Sequence, residues 1–286
     1  MNLNTDGGTM PAYPHAADLG VLLPSLEALV DEIVASNLSR DTLGRALDAG
    51  MTEVTSILRA VPAAEGKLLE RGIGLVAGRN PDLTVLTQNL RLPVTKAASE
   101  LVEMNDPSLY RSLSLDADSG GRKTYTPDLL ILNRRSEVAH LVDVKRSLGS
   151  YELSRIAELK HRMLAAALVV PDLLYKEHRR LRAKEVRVVI LNAGNQRADI
   201  DGGVWPLSHL DHLLEVGGAG EAMAQLRELF QRRIGENWSA ALACRRDVGG
   251  KAEKRPSPHC GDDDVYGSTR LPVSIGFARA PRAASP

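Results

Sequence analysis

The stretch "YTPDLLILNRRSEVAHLVDVKRS", residues 125–147, holds two short apolar runs separated by a polar, turn-like segment. Apolar runs of this length that flank turn residues are typical of buried strands, so the stretch predicts a β-hairpin. Three charged residues, Asp128, Asp143 and Lys145, lie at one end of this hairpin. Buried strands rarely carry such residues without a reason, and the cluster is therefore the first candidate for a functional site.

The turn of the hairpin sets which residues face each other. A turn at residues 133–137 brings Asp128 opposite Val142, beside Asp143. Because side chains alternate along a strand, Asp143 and Lys145 should point to the same face of the sheet. Two carboxylates and an ammonium group are therefore expected to meet at one edge of the sheet.

This group of charges suggests a chemistry. Burying such charges unpaired costs on the order of several kcal/mol, and a divalent cation would compensate the two carboxylates. Hard carboxylate oxygens suit Mg²⁺ or Mn²⁺. A cation so placed can polarise a phosphate oxygen and activate a water, while a lysine orients that water or stabilises the developing charge. The residue types therefore point to phosphodiester hydrolysis.

Length and composition exclude several classes of protein. The 286 residues allow one large domain, or one domain with a smaller appendage, and the formal net charge is zero. Nucleic-acid binding must therefore rest on local basic patches. The two cysteines, Cys244 and Cys260, do not make a disulfide framework. We find neither a secretory signal nor an apolar run long enough to span a membrane, so we predict a cytoplasmic protein with no membrane partner.

Four segments are expected along the chain. Residues 1–17 should form a flexible N-terminus, and residues 18–61 a helical lead-in that ends at a proline. Ser39 is a candidate N-cap within that lead-in. Residues 62–242 should form the main domain. The segment 243–286, rich in Pro, Gly and charge, should be a disordered tail.

The main domain is predicted to alternate helices and strands. Before the hairpin, we expect a helix ending near Gly78, a strand over 83–93, a helix over 95–104 and a polar loop over 105–123. After the hairpin, we expect an amphipathic helix over 150–170, a strand over 185–193, a strand near Val204, and helices over 207–216 and 219–235. This order predicts an α/β fold, with a central mixed sheet of four to five strands flanked by helices.

The hairpin also resembles the signature of a known family. The pair Pro127–Asp128, followed by the "DVK" of Asp143–Lys145, resembles the motif of the PD-(D/E)XK nuclease superfamily, which includes restriction endonucleases, Holliday-junction resolvases and repair nucleases. The predicted α-β-β-β-α-β order over residues 64–192 is similar to the core of that superfamily. A long insertion at about 93–124 departs from the minimal core. The resemblance implies a restriction-endonuclease-like fold.

The resemblance also implies roles for the hairpin residues. Asp128 and Asp143 would bind the metal, Lys145 would be the catalytic lysine, and the backbone carbonyl of Val144 could supply a further metal ligand. The cofactor would be Mg²⁺ or Mn²⁺. The substrate would be DNA rather than RNA, and the product a 5′-phosphate. Many members of the superfamily act as dimers, so the resemblance allows a homodimer.

The family often adds a glutamate from the first helix. Glu70 precedes the first strand at about the right distance, and Glu65 is the second candidate. A polar residue from the helix after the motif sometimes assists, and Lys160 or Arg155 could serve here.

Two alternatives remain open at this point. A nuclease-like fold can be catalytically silent and bind nucleic acid or a protein partner. The hairpin can also be ordinary, with solvated charges in a protein of another function.

Other features carry weaker signals. The basic stretch at residues 176–187 could hold phosphates, although a solvated connector explains it equally well. His209 and His212, taken with Cys244 and Cys260, match no zinc-site spacing.

Overall fold

The structure, a computed structural model, describes residues 13–87, 90–110, 113–118, 123–178, 180–194 and 197–250. The helices are α1 (Leu19–Asn37), α2 (Arg40–Ala49), α3 (Met51–Ala77), α4 (Lys96–Met104), α5 (Pro107–Tyr110), α6 (Leu153–Ala167), α7 (Val170–Glu177), α8 (Leu210–Leu214) and α9 (Ala219–Gly250), with a 3₁₀ turn at Leu207–His209. The strands are β1 (His15–Ala16), β2 (Leu83–Leu86), β3 (Leu92–Val94), β4 (Lys123–Tyr125), β5 (Leu129–Asn133), β6 (Val138–Lys145), β7 (Glu185–Asn192), β8 (Val204–Pro206) and β9 (Val216–Gly217).

A five-stranded mixed sheet forms the centre of the fold. The strand order is β2-β5-β6-β7-β8, with β2, β5 and β6 antiparallel and β6, β7 and β8 parallel. The prediction of an α/β fold with a mixed central sheet flanked by helices is confirmed at this level. The strands β3 and β4 pair with each other in a separate small sheet.

Each face of the central sheet covers its own hydrophobic core. One core lies under α1, α2, α3 and α9, and includes Val142 and Val144 of β6. The other lies under α4, α6 and α7, and includes Leu141. Alternation along β6 therefore places Asp143 and Lys145 on the same face of the sheet, as predicted, and this face is the one that α6 covers.

The turn between β5 and β6 is organised by Asn133. Its side-chain Oδ1 accepts hydrogen bonds from the backbone N–H groups of Arg135 at 2.9 Å and Ser136 at 3.1 Å. Glu137 closes the turn with a left-handed φ of 56°. An Asn side chain that bonds to the backbone two residues on is a common way to start a turn, so the pairing resumes at Val138.

The predicted end of the lead-in helix is wrong. α3 continues through Pro62, so the expected boundary between residues 61 and 62 falls inside one helix. Proline removes one helical hydrogen bond, but buried side chains on both sides of it, including Ile57 and Ala64, hold the helix against its neighbours. The N-cap at Ser39 is confirmed, because its side chain accepts a hydrogen bond from the N–H of Thr42.

Two other predicted elements are divided in the structure. The helix expected over 150–170 is α6, and Pro171 lies in the first turn of α7, where its missing N–H costs no hydrogen bond. The strand expected over 83–93 is two strands in different sheets. Leu83 packs against the core under α3, whereas Leu92 belongs to the core under α6, so the chain changes sides between them.

The ends of the described chain also differ from expectation. β1 pairs in parallel with β9, although the sequence placed its residues in the flexible segment 1–17. α9 extends to residue 250, so the predicted tail 243–286 begins inside this helix. Residues 1–12 and 251–286 lie outside the described residues. No helix in the described ranges combines the length and the apolar character needed to cross a membrane.

Candidate active site

The register of the hairpin brings the two aspartates face to face. Leu129 pairs with Val142, so continuing the ladder by one residue places Asp128 opposite Asp143. The predicted register, with Asp128 opposite Val142, is wrong by one residue. The physical reason is the four-residue turn set by Asn133, which shifts the pairing of the whole hairpin.

Asp143 is the buried centre of the cluster. Its side chain lies on β6 with the residue only 5% exposed. The hydroxyl of Tyr125 donates a hydrogen bond to Asp143 Oδ2 at 2.9 Å, and the ammonium of Lys145 forms an ion pair with Oδ1. A buried carboxylate needs such partners, because an uncompensated buried charge is costly.

Asp128, which directly precedes β5, forms a hydrogen bond to the end of β6. Its Oδ2 accepts a hydrogen bond from the backbone N–H of Val144 at 2.6 Å. Burial, and then the nearby charge of Asp143, raise the pKa of Asp128, while the Val144 N–H and the Lys145 charge oppose this rise. Asp128 and Asp143 therefore lie close enough to repel each other.

Glu70 is the helix carboxylate that lies in the field of this cluster. Burial, followed by the charge of Asp128, raises its pKa to about 7, with Asp143 adding to the rise and Lys145 opposing it. A carboxyl group with a pKa this high is only partly ionised near neutral pH in the absence of a cation. The charges at the end of the hairpin therefore act on Glu70 of α3.

Glu65, the second candidate, has different partners. It is buried, and Oε1 accepts hydrogen bonds from Nε of Arg227 at 3.1 Å and from Nη2 at 2.9 Å. Its other oxygen, Oε2, lies 3.8 Å from Nε of Arg146. The structure therefore gives Glu65 a place in an ion-pair network between α3 and α9.

Lys145 remains a cation in this environment. Burial alone would lower its pKa, but the charge and hydrogen bond of Asp143, together with the charge of Asp128, raise the pKa above its usual value. A lysine held in the protonated state donates hydrogen bonds and stabilises negative charge.

Two residues at the site escaped the sequence analysis. Tyr125 supplies the hydrogen bond to Asp143, and burial followed by the Asp143 charge raises the pKa of its hydroxyl, which keeps the proton on it. Arg162 on α6 lies over the Tyr125 ring at 6.0 Å from its centroid. Both contacts depend on where β4 and α6 lie in the fold, and the local sequence pattern does not indicate this.

The assisting residues expected from the helix after the motif lie apart from these contacts. Lys160 pairs with Asp199 at 3.4 Å, and Arg155 is exposed on α6. Lys160 also lines a cavity of about 580 Å³ between α6, α7 and β7. That cavity shares no lining residue with the carboxylate cluster.

The histidines of the weaker zinc pattern contact one another instead. The rings of His209 and His212 have centroids 5.4 Å apart, and His212 Nδ1 contacts the hydroxyl of Tyr13. Cys244 is exposed on α9, and Cys260 lies outside the described residues.

The donor set fits a hard divalent cation in its chemistry. Glu70, Asp128 and Asp143 supply hard oxygens, and their repulsion is a strain that a cation would relieve. Across the described ranges, however, no three His, Cys, Asp or Glu side chains are grouped closely enough to hold a metal as they stand. The ammonium of Lys145 already pairs with Asp143 Oδ1.

Comparison with known proteins identifies no relative. The chain matches no protein-family model, and no curated protein or solved structure is significantly similar to it. A function must therefore be inferred from the residues of this chain and their geometry.

Proposed function

We propose that this protein is a metal-dependent DNA endonuclease with a restriction-endonuclease-like core. One observation carries the proposal: Asp128, which directly precedes β5, and Asp143, which is ion-paired to Lys145, lie at the same end of the hairpin, and the charges of all three act on Glu70. Charged groups with shifted pKa values that converge at the end of a sheet are the usual mark of a catalytic site.

The order of elements supports the same reading. With the intervening elements left out, α3, β2, β5, β6, α6 and β7 follow in a helix-strand-strand-strand-helix-strand order similar to that of the superfamily. The elements β3, α4, α5 and β4 lie between β2 and β5, and α7 lies between α6 and β7. A similar order of elements does not by itself establish a function, so the proposal depends on the site.

The carboxylates would hold the cofactor. Glu70, Asp128 and Asp143, with the backbone carbonyl of Val144, would bind Mg²⁺ or Mn²⁺. Such a cation, when bound, polarises a phosphate oxygen and lowers the pKa of its water. Tyr125 keeps Asp143 oriented through the hydroxyl hydrogen bond to Oδ2.

The lysine would act on the phosphate. Lys145, protonated and held beside Asp143, can donate hydrogen bonds to the attacking water and to the oxygens of the phosphate under attack. In-line attack would leave a 5′-phosphate on one product. DNA as the preferred substrate and a homodimeric assembly rest on the family resemblance alone.

Cleavage of nucleic acid tests the proposal. Supercoiled plasmid and labelled single-stranded DNA are incubated with the wild type, Lys145→Ala and Asp128→Ala, in Mg²⁺ or Mn²⁺ and in EDTA. We expect nicking that requires the cation and is lost in both variants. Arg135→Ala, at the far tip of the hairpin, is the control and should cleave like the wild type. Equal cleavage in EDTA, or full activity of Lys145→Ala, would contradict the proposal.

A catalytically silent module is the second candidate. The ion pair between Lys145 and Asp143 favours it, because this contact satisfies the charges without a cation. Cation binding separates the two functions. A catalytic site should bind Mn²⁺ and lose it on Asp143→Ala, whereas a silent module should bind DNA or a protein without responding to Mn²⁺.

A further inference from the structure

Arg146 follows the catalytic lysine directly and lies at the end of β6. Its side chain is 51% exposed, and its partner among the described residues is Glu65, with Nε 3.8 Å from Oε2. Its contact with Glu65 places the side chain toward α3. A cation at this position borders the site and remains open to solvent.

Glu65 carries one negative charge and lies between two arginines, Arg227 at Oε1 and Arg146 at Oε2, so one positive charge is in excess. Arg227 binds Glu65 Oε1 through two nitrogens and donates a third hydrogen bond to the carbonyl of Ala193 at 2.8 Å. The N–H of Ala193 in turn donates to the carbonyl of Lys145 at 2.8 Å. Arg227 is therefore a structural cation that ties α9 to the strand end, and Arg146 is a surplus charge beside it.

The net charge of the site suggests a role for the positive charge of Arg146. Glu70, Asp128 and Asp143 carry three negative charges when ionised, and Lys145 carries one positive charge. A bound divalent cation would leave this group neutral, with no positive charge left over to attract an anionic substrate. Arg146 supplies such a charge, and a guanidinium group matches the geometry of a phosphate.

We propose that Arg146 binds a backbone phosphate of the nucleic acid next to the one that is cleaved. The inference rests on the proposed function, because it names the group that holds the substrate at that site. Arg146 acts in binding, through a charge-assisted hydrogen bond to a phosphate that does not react. It should therefore affect affinity and leave the chemical step almost unchanged.

Binding, measured apart from cleavage, tests the inference. The anisotropy of a short fluorescein-labelled DNA duplex is followed with the wild type, Arg146→Ala and Arg146→Lys, in Ca²⁺ and again in EDTA, over a range of salt concentrations. We expect Arg146→Ala to bind about tenfold more weakly, and the slope of log affinity against log salt to fall by about 1. Arg146→Lys should retain the slope, because it keeps the charge.

Arg135→Ala is the matched control, since it removes the same charge from the far tip of the hairpin. It should bind like the wild type. Unchanged binding by Arg146→Ala in a wild type that binds and cleaves DNA would overturn the inference and leave the proposed function standing. Reduced thermal stability of Arg146→Ala with unchanged affinity would show that Arg146 only pairs with Glu65, and would also overturn it.

The two proposals can fail separately. Arg146-dependent binding without any cation-dependent cleavage would support the phosphate contact and reject the nuclease. A wild type that neither binds nor cleaves DNA would reject both.

Discussion

At the scale of single residues, the charges around Asp143 are satisfied to different degrees. Asp143 has a hydroxyl donor and an ammonium partner, and Asp128 has a backbone N–H. Glu70 lies in the field of both aspartates, and its raised pKa reflects burial and their repulsion. It is therefore the residue whose protonation should report most directly on the state of the site.

The stability of the metal-free protein should depend on Glu70 and pH. The folded state holds the Glu70 proton up to a pKa of about 7, against 4.5 in the unfolded chain, so folding takes up a proton in this window. Stability must then fall as the pH rises from about 4.5 to about 7. Since Glu70 is half-buried and partly screened by solvent, we expect a loss of about 1 kcal/mol from this residue.

Glu70→Gln should remove that loss. In urea unfolding with EDTA, the variant should be more stable than the wild type at about pH 8 and similar to it at about pH 5. The raised pKa of Asp128 acts in the same direction in both proteins and does not alter the comparison. Stability curves that run parallel at all pH values would contradict the assignment of Glu70 to the cluster.

Tyr125 should control the position of the Asp143 carboxylate. Tyr125→Phe removes the hydroxyl that donates to Oδ2 and leaves that buried oxygen without its partner. Because such supporting hydrogen bonds orient metal ligands, we expect the affinity for Mn²⁺ to fall by about 10-fold to 100-fold. Isothermal titration measures this, with Tyr175→Phe, at an exposed tyrosine, as the control. Equal affinities of the three proteins for Mn²⁺ would show that Tyr125 does not contribute to the site.

The charged residues at the centre of the candidate site could be named from the sequence. The residues that orient them, Asn133 in the turn and Tyr125 on β4, could not. Asp128, Asp143 and Lys145 stand out because charges at the ends of apolar strands are unusual. The predicted pairing missed by one residue, because the side chain of Asn133 sets a turn that the composition of the segment does not reveal. Tyr125 was missed because its partner depends on where β4 lies after a long insertion.

At the scale of elements, α3 is the helix that connects the site to the rest of the fold. It carries Glu70 and packs against α1, α2 and α9. The close approach of α3 and α9 occurs at Gly72. A Cβ placed there would lie 2.3 Å from Leu226 Cδ2 and 3.1 Å from the end of Met223.

Adding a methyl group at Gly72 should therefore destabilise the protein. Leu226 and Met223 are fully buried, so overpacking should exceed the gain in helix propensity. We expect Gly72→Ala to lower the free energy of unfolding by about 1 to 2 kcal/mol. The measurement is urea denaturation.

Gly74 on the same helix provides the control. Nothing lies within 4 Å of a Cβ built there, so Gly74→Ala should raise stability by about 0.5 to 1 kcal/mol. Changes of the same sign in both variants would show that α3 and α9 are not packed as described.

Most element types could be predicted from sequence, and their ends could not. The apolar periodicity of α6 and the continuous apolar run of β7 were sufficient to identify each element. Pro62 misled, because it lies inside a helix stabilised by tertiary packing, whereas Pro171 follows the end of α6 and lies in the first turn of α7. Tertiary contacts, which local sequence does not show, decided the case of Pro62.

At the scale of the whole molecule, the sheet separates two cores that have different roles. The core under α1, α2, α3 and α9 anchors Glu70, and the core under α4, α6 and α7 supports Tyr125. The site lies at the edge where these two layers meet the end of β6. Arg227 on α9 ties the first of these layers to the sheet at this edge, through Glu65 on α3 and the carbonyl of Ala193 after β7.

The central claim is that Asp143 and the carboxylates around it bind a divalent cation. The most direct measurement is the uptake of Mn²⁺ followed by the electron paramagnetic resonance signal of the free ion. The wild type is compared with Asp143→Asn, which keeps the shape of the side chain, and with Glu27→Gln, which changes an exposed carboxylate on α1. We predict that the wild type and Glu27→Gln remove Mn²⁺ from solution and that Asp143→Asn does not. Equal uptake by Asp143→Asn, or no uptake by the folded wild type, would contradict the claim.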